Sequence, residues 1–151
     1  MSHVQKRNIG TGKDAHIRDL TALQEAVKRC SPDLEFVRDQ KTFQAYYSAD
    51  KCDHAIRIKP ELRRPNNTYD AYEIGLCQEK PGEFSLKYDP YGGSLNQRCG
   101  ENLDNLAMYY HAEAARRQAK TSGHFYSETP IAGGGLLVNV DIPEEIKATI
   151  G

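Results

Sequence analysis

The segment from Lys87 to Gly123 limits the possible folds of this chain more than any other. It reads as the end of a strand, Phe84-Ser85-Leu86-Lys87-Tyr88, then an Asp89-Pro90-Tyr91-Gly92-Gly93 turn, then a long amphipathic helix closed by Ser122-Gly123. The spacing predicts that helix from near Glu101 to Ser122, with Leu103, Leu106, Ala107, Tyr110 and Ala114 on one stripe. Glu101 and Asp104 in its first turn, and Arg116, Arg117 and Lys120 at its end, suit the helix dipole. Glu113 and Arg117 are spaced for an exposed ion pair, and Gly123 is the expected stop.

A second helix is expected near the start. Asp19 is a natural N-cap, followed by Leu20, Leu23, Ala26, Val27 and Cys30 at helical spacing, and Ser31-Pro32 ends the pattern. Strands are expected at His3 to Ile9, Leu34 to Val37, Phe43 to Tyr47 and His54 to Ile58. The Pro- and Asn-containing stretch Lys59 to Asn67 reads as a loop. Tyr69 to Cys77, with Tyr72, Ile74 and Leu76 on one face, pairs through a Gln78–Gly82 turn with Glu83 to Tyr88. Phe125 to Glu128 and Leu136 to Val140 form a last hairpin around Ala132–Gly135. Helices near both ends with hairpins between them predict one α+β domain over residues 1–151, an antiparallel sheet of five to seven strands with two α-helices packed on one face.

Composition narrows function more than it names it. The chain is 38% apolar and lacks Trp, but its nine tyrosines each bring a large apolar body with a polar tip. A net charge of −1 implies no whole-molecule attraction to nucleic acid or to a membrane. No apolar run approaches a membrane helix, and Met1 to Arg7 lacks the apolar stretch of a signal peptide, so a cytoplasmic location is expected. Cysteines 30, 52, 77 and 99 form no Cys-x-x-Cys and should be free thiols there, with Cys77 filling a core position.

Several short motifs occur in a particular order. They are the Met1-Ser2-His3-Val4 start; Ile17, Asp19 and Leu20; Tyr72, Ile74 and Gly75; Tyr88-Asp89; and Leu106 and Tyr110 with Gly123 thirteen residues on. In this order the chain resembles a phage, cyanobacterial and plastid family of unknown function, related to hypothetical chloroplast reading frame thirty-five. Met108 stands where that family tends to place Gln, and the middle, from about Asp50 to Thr68, is longer than in plastid members. The resemblance implies an α+β fold and a bacterial or phage setting. It implies no reaction.

The chemical motifs are weak. Cys52-x-His54 offers two metal ligands where a structural zinc site needs four, usually as two close pairs. No Gly-x-Ser-x-Gly or comparable signature organises a nucleophile, and His111 and Glu113 read as the solvent side of the second helix. Gly133-Gly134-Gly135 reads as a hairpin turn and Gly10-Thr11-Gly12-Lys13 as a loop, neither being a phosphate-binding motif with its helix. No cofactor and no metal are expected. Two basic surfaces could meet nucleic acid: Lys59, Arg63 and Arg64 in the loop beside Tyr69, and Arg116, Arg117 and Lys120 on the helix.

The expectation is therefore a non-enzymatic accessory protein that binds and modulates a host or phage protein, the alternative being RNA or DNA binding through the Pro-rich basic loop. Arg63, Arg64, Tyr69 and Tyr91 are the expected partner-binding residues, because Tyr and Arg dominate interface energies. Tyr46 and Tyr47, if they share a strand, must face opposite sides of it. Asp89, Gly92, Gly93 and Gly123 are expected to determine the fold. Open sheet edges make a homodimer plausible.

Overall fold

The computed structural model describes residues 4–7 and 16–143. In chain order its elements are β1 (Gln5–Arg7), α1 (Leu20–Cys30), β2 (Leu34–Val37), β3 (Thr42–Gln44), β4 (Ala49–Lys51), β5 (His54–Ile58), β6 (Ile74–Lys80), β7 (Glu83–Tyr88), α2 (Ser94–Cys99), α3 (Asp104–Ser122), β8 (Phe125–Pro130) and β9 (Leu136–Asp141). Short 3-10 turns lie at Pro60–Leu62, Thr68–Ala71 and Glu101–Leu103.

The main sheet runs β1-β7-β6-β5-β2, antiparallel throughout. Ile56, Ile58, Ile74, Leu76, Leu86 and Tyr88 send their side chains into one large core with α1, α2 and α3. Alternation then puts Ala55, Gly75 and Cys77 on the other face. That face is partly covered by Phe43, which forms a second small core with Cys52 and Ala55. Gly75 is required there, because a β-carbon would stand 2.3 Å from the Phe43 ring.

Capping and burial explain α1. The Asp19 carboxylate accepts the Ala22 amide at 3.0 Å, and Ala22, Leu23, Ala26 and Val27 are buried. The Tyr110 hydroxyl of α3 accepts the amides of Arg18 and Asp19, at 3.1 and 3.3 Å, so the larger helix holds the start of the smaller one. Arg117 completes the junction with a 2.7 Å bond to Asp19. Burial works against the Asp19 carboxylate, and the Ala22 amide and Arg117 outweigh it, so its pKa lies below the usual value.

The expected architecture needs correcting. The fold is α+β, but its strands do not form a single sheet with two helices. β3–β4 and β8–β9 are separate two-stranded ribbons, and there are three helices among the described residues. The expected strand from Phe43 to Tyr47 ends at Gln44, because Ala45 donates to the Ser48 carbonyl at 3.0 Å and closes a turn with Tyr46 and Tyr47 at its tip. Tyr69 lies in a 3-10 turn, not in the strand, which begins at Ile74. The long helix starts at Asp104 rather than Glu101. A six-residue helix precedes it, set apart by Gly100 at φ +82° and by the left-handed residues Asn102 and Leu103. Burial of the Leu103 side chain offsets the strain of its positive φ.

The α1 limits, the β2, β5 and β7 strands and the terminal hairpin lie where the sequence puts them, while β6 pairs with β7 as expected but runs on through Gln78 to Lys80, which shortens the turn. Residues 4–7 of the expected first strand are described, and Gln5–Arg7 of them form β1; residues 10–13 lie outside the described residues. No described helix is long and apolar enough to cross a membrane.

Candidate functional site

At one end of the main sheet, three connections converge: the tip of the β3–β4 ribbon, the turn at Thr68–Ala71 and the β7–α2 loop. Each contributes tyrosines. Tyr46 meets Tyr47 edge-on at a centroid distance of 4.4 Å and Tyr91 at 5.0 Å. Tyr91 meets Tyr69 at 5.5 Å, and Tyr69 meets Tyr72 at 5.6 Å. These T-shaped contacts are a favoured aromatic geometry. Tyr72 is buried and anchors the group, while Tyr46, Tyr47 and Tyr91 are 44%, 76% and 42% exposed. Burial, with Asp89 nearby, pushes the Tyr72 phenol up to about 12, so it stays protonated.

Two residues of the Asp-Pro-Tyr-Gly-Gly turn hold this surface. Asp89 is 2% exposed; one carboxylate oxygen accepts the Tyr91 amide at 3.0 Å and the other the Tyr46 amide at 3.2 Å. One side chain thus ties the ribbon tip to the β7–α2 loop. Gly92, at φ +81°, lies against Tyr69, and a β-carbon there would stand 2.1 Å from the ring.

Of the four residues expected to bind a partner, Tyr69 and Tyr91 come together in this surface. Arg63 and Arg64 make their contacts within their own loop and its neighbours rather than with these tyrosines. Arg64 makes a two-pronged ion pair with Asp70, at 2.9 and 2.7 Å, and Arg63 donates to the Ile58 carbonyl at 3.1 Å. Asp70 is fully buried, also accepts from the Ser94 hydroxyl at 2.7 Å, and is held well below the usual carboxylate range by Arg64. The loop arginine therefore fastens its own loop to α2.

A second ionic cluster joins α1, α3 and β8. Glu113, expected on the solvent side of the helix, is 1% exposed. Instead of pairing with Arg117, it accepts from Arg29 at 2.9 Å and Arg116 at 2.7 Å. Arg29 also grips both oxygens of Glu128, at 2.8 and 2.7 Å, and lies over the Tyr109 ring. Tyr126 donates its hydroxyl to Glu128 and contacts the Ala112 carbonyl at 3.0 Å. Arg29, Arg116, Tyr126, Ser127 and Glu128 line an open cleft of about 330 Å³. The two arginines and two glutamates of the cluster, Arg29, Arg116, Glu113 and Glu128, neutralise one another, which makes it a latch for the terminal hairpin. Two of the three residues of the helix-end basic patch are likewise used internally, since Arg116 pairs with Glu113 and Arg117 with Asp19.

The remaining motifs have structural partners. The Cys52 thiol donates to the Gln40 carbonyl at 3.1 Å, and His54 Nδ1 accepts the Asp39 amide at 2.9 Å. Among the described residues, no group of three or more His, Cys, Asp or Glu side chains could hold a metal ion.

Neither a protein-family model, nor a curated protein, nor a solved structure matches the chain, and the family resemblance rests on its motifs alone.

Sequence reasoning picked out Tyr69 and Tyr91 but missed how Tyr46, Tyr47 and Asp89 join them. The available signal was the Tyr46-Tyr47 pair followed by Ser48, a polar break in the β-rich run.

Proposed function

We propose that the protein is a binding module whose partner is another protein, engaged through the surface of Tyr46, Tyr47, Tyr69 and Tyr91. The observation that supports this is the contact chain of exposed tyrosines, each braced by a neighbouring ring and fixed from beneath by Asp89 and Gly92. Rigid tyrosines supply large contact area and lose little side-chain entropy on binding, which makes them common interface anchors. Nucleic acid is the weaker reading, because the charge of Arg64 is already matched by Asp70.

The test is affinity purification of the tagged protein from a bacterial host, with and without nuclease, beside a Tyr46→Ser/Tyr47→Ser/Tyr91→Ser variant. A nuclease-resistant protein partner lost by the variant is the expected result. A partner retained equally by the variant, or one released by nuclease, would overturn the reading.

A further inference from the structure

We infer that the tyrosine surface receives an arginine-bearing segment of its protein partner; this rests on the reading above that the surface binds a protein. The buried carboxylates among the described residues are Asp70, Asp89 and Glu113. Two of them are neutralised within the chain, Asp70 by Arg64 and Glu113 by Arg29 and Arg116. Asp89 is different. It is held by the amides of Tyr46 and Tyr91, and no described cationic side chain pairs with it. A buried carboxylate without a counter-charge is costly, so a cation brought close to it is favoured.

The residues that Asp89 holds are chemically suited to such a cation. The amides it holds belong to Tyr46 and Tyr91, two exposed members of the cluster. The face of a tyrosine ring is the negative part of its quadrupole, and a guanidinium stacks on it more readily than a strongly hydrated ammonium does. The chain uses the same pairing internally, with Arg29 lying 4.9 Å from the Tyr109 ring centre while it grips Glu113 and Glu128. At the tyrosine surface the carboxylate is Asp89, tied to two of the exposed tyrosines through their backbone amides. Charge and ring chemistry together favour a basic segment over an acidic or purely apolar one.

The experiment is selection of a displayed random dodecapeptide library on the immobilised full-length protein, with Tyr47→Ser and Tyr91→Ser variants as controls. Tyr47 is 76% exposed, so its replacement leaves the fold intact. The expected result is a set of arginine-enriched peptides whose affinity falls about tenfold or more on either variant. Peptides that depend on the tyrosines but are not enriched in arginine would overturn this inference and leave protein binding in place. A selection that does not distinguish the wild type from the variants would overturn both.

Discussion

Gly92 and Tyr69 are in contact face to backbone: the glycine carries no β-carbon where one would lie 2.1 Å from the ring. With φ at +81°, the position also disfavours any L side chain for its backbone alone. Gly92→Ala must therefore displace Tyr69 or the β7–α2 loop. The expected cost is about 1–3 kcal/mol, read by thermal or denaturant unfolding, together with weaker partner binding.

Phe43 links the second core to the tyrosine surface. It is fully buried on Gly75, three residues before Tyr46. Phe43→Ala should cost about 3–5 kcal/mol and free the ribbon that carries Tyr46 and Tyr47. Hydrogen exchange should then rise across Thr42 to Lys51 while α1 and α3 stay protected. Equal loosening of both regions would contradict the separation of the two cores.

Arg29 neutralises Glu113 and Glu128 together. Arg29→Ala leaves the buried Glu113 with Arg116 alone and removes the only guanidinium bonded to both oxygens of Glu128 among the described residues. The expected destabilisation is roughly 3 kcal/mol, measured by denaturant unfolding, with the β8–β9 ribbon the first element to lose protection.

The same latch predicts a pH response. Arg29 draws the Glu128 carboxyl down to about 2 from the ordinary 4.5, against burial and with help from the Tyr126 hydroxyl. Because the folded value lies below the unfolded one, the stabilisation is complete above about pH 4.5 and is lost as pH falls through about 2. Exchange protection of the terminal hairpin should fall over that acid window. In Glu128→Gln it should be lower at neutral pH and nearly flat with acid.

The thiols should react unequally. The Cys30 thiol donates to the Arg98 carbonyl at 3.1 Å, and the neighbouring Cys99 thiol lowers its pKa, while burial raises Cys77 and pushes Cys52 up to about 12. Cys99 is fully buried and itself raised, by the neighbouring Cys30 and by burial. Brief alkylation near pH 8, followed by peptide mass spectrometry, should find Cys30 modified first. Preferential labelling of Cys52 would contradict the packing around it.

The parts legible in the sequence are those decided by local physics. Asp19 caps α1 because a carboxylate two or three residues before free amides is enough, wherever the helix later docks. The β6–β7 hairpin and the Gly-rich terminal turn follow from alternation and turn chemistry in the same way. Strand partnership and burial are not local. Nothing near Glu113 announces that Arg29, from another helix, will take it out of water, so its place beside exposed residues misled the reading of that face. The short helix Ser94–Cys99 offers too few residues for a period to emerge. The tyrosines of the candidate surface lie in three separate connections, and only the tertiary fold brings them together. The sequence by itself determined the helices, hairpins and turns that a few neighbouring residues can specify. Tertiary structure alone decided which charges were buried in pairs, which ribbons left the main sheet, and that Asp89 would tie the Tyr46 amide to the β7–α2 loop, because each of these depends on contacts between residues far apart in the chain.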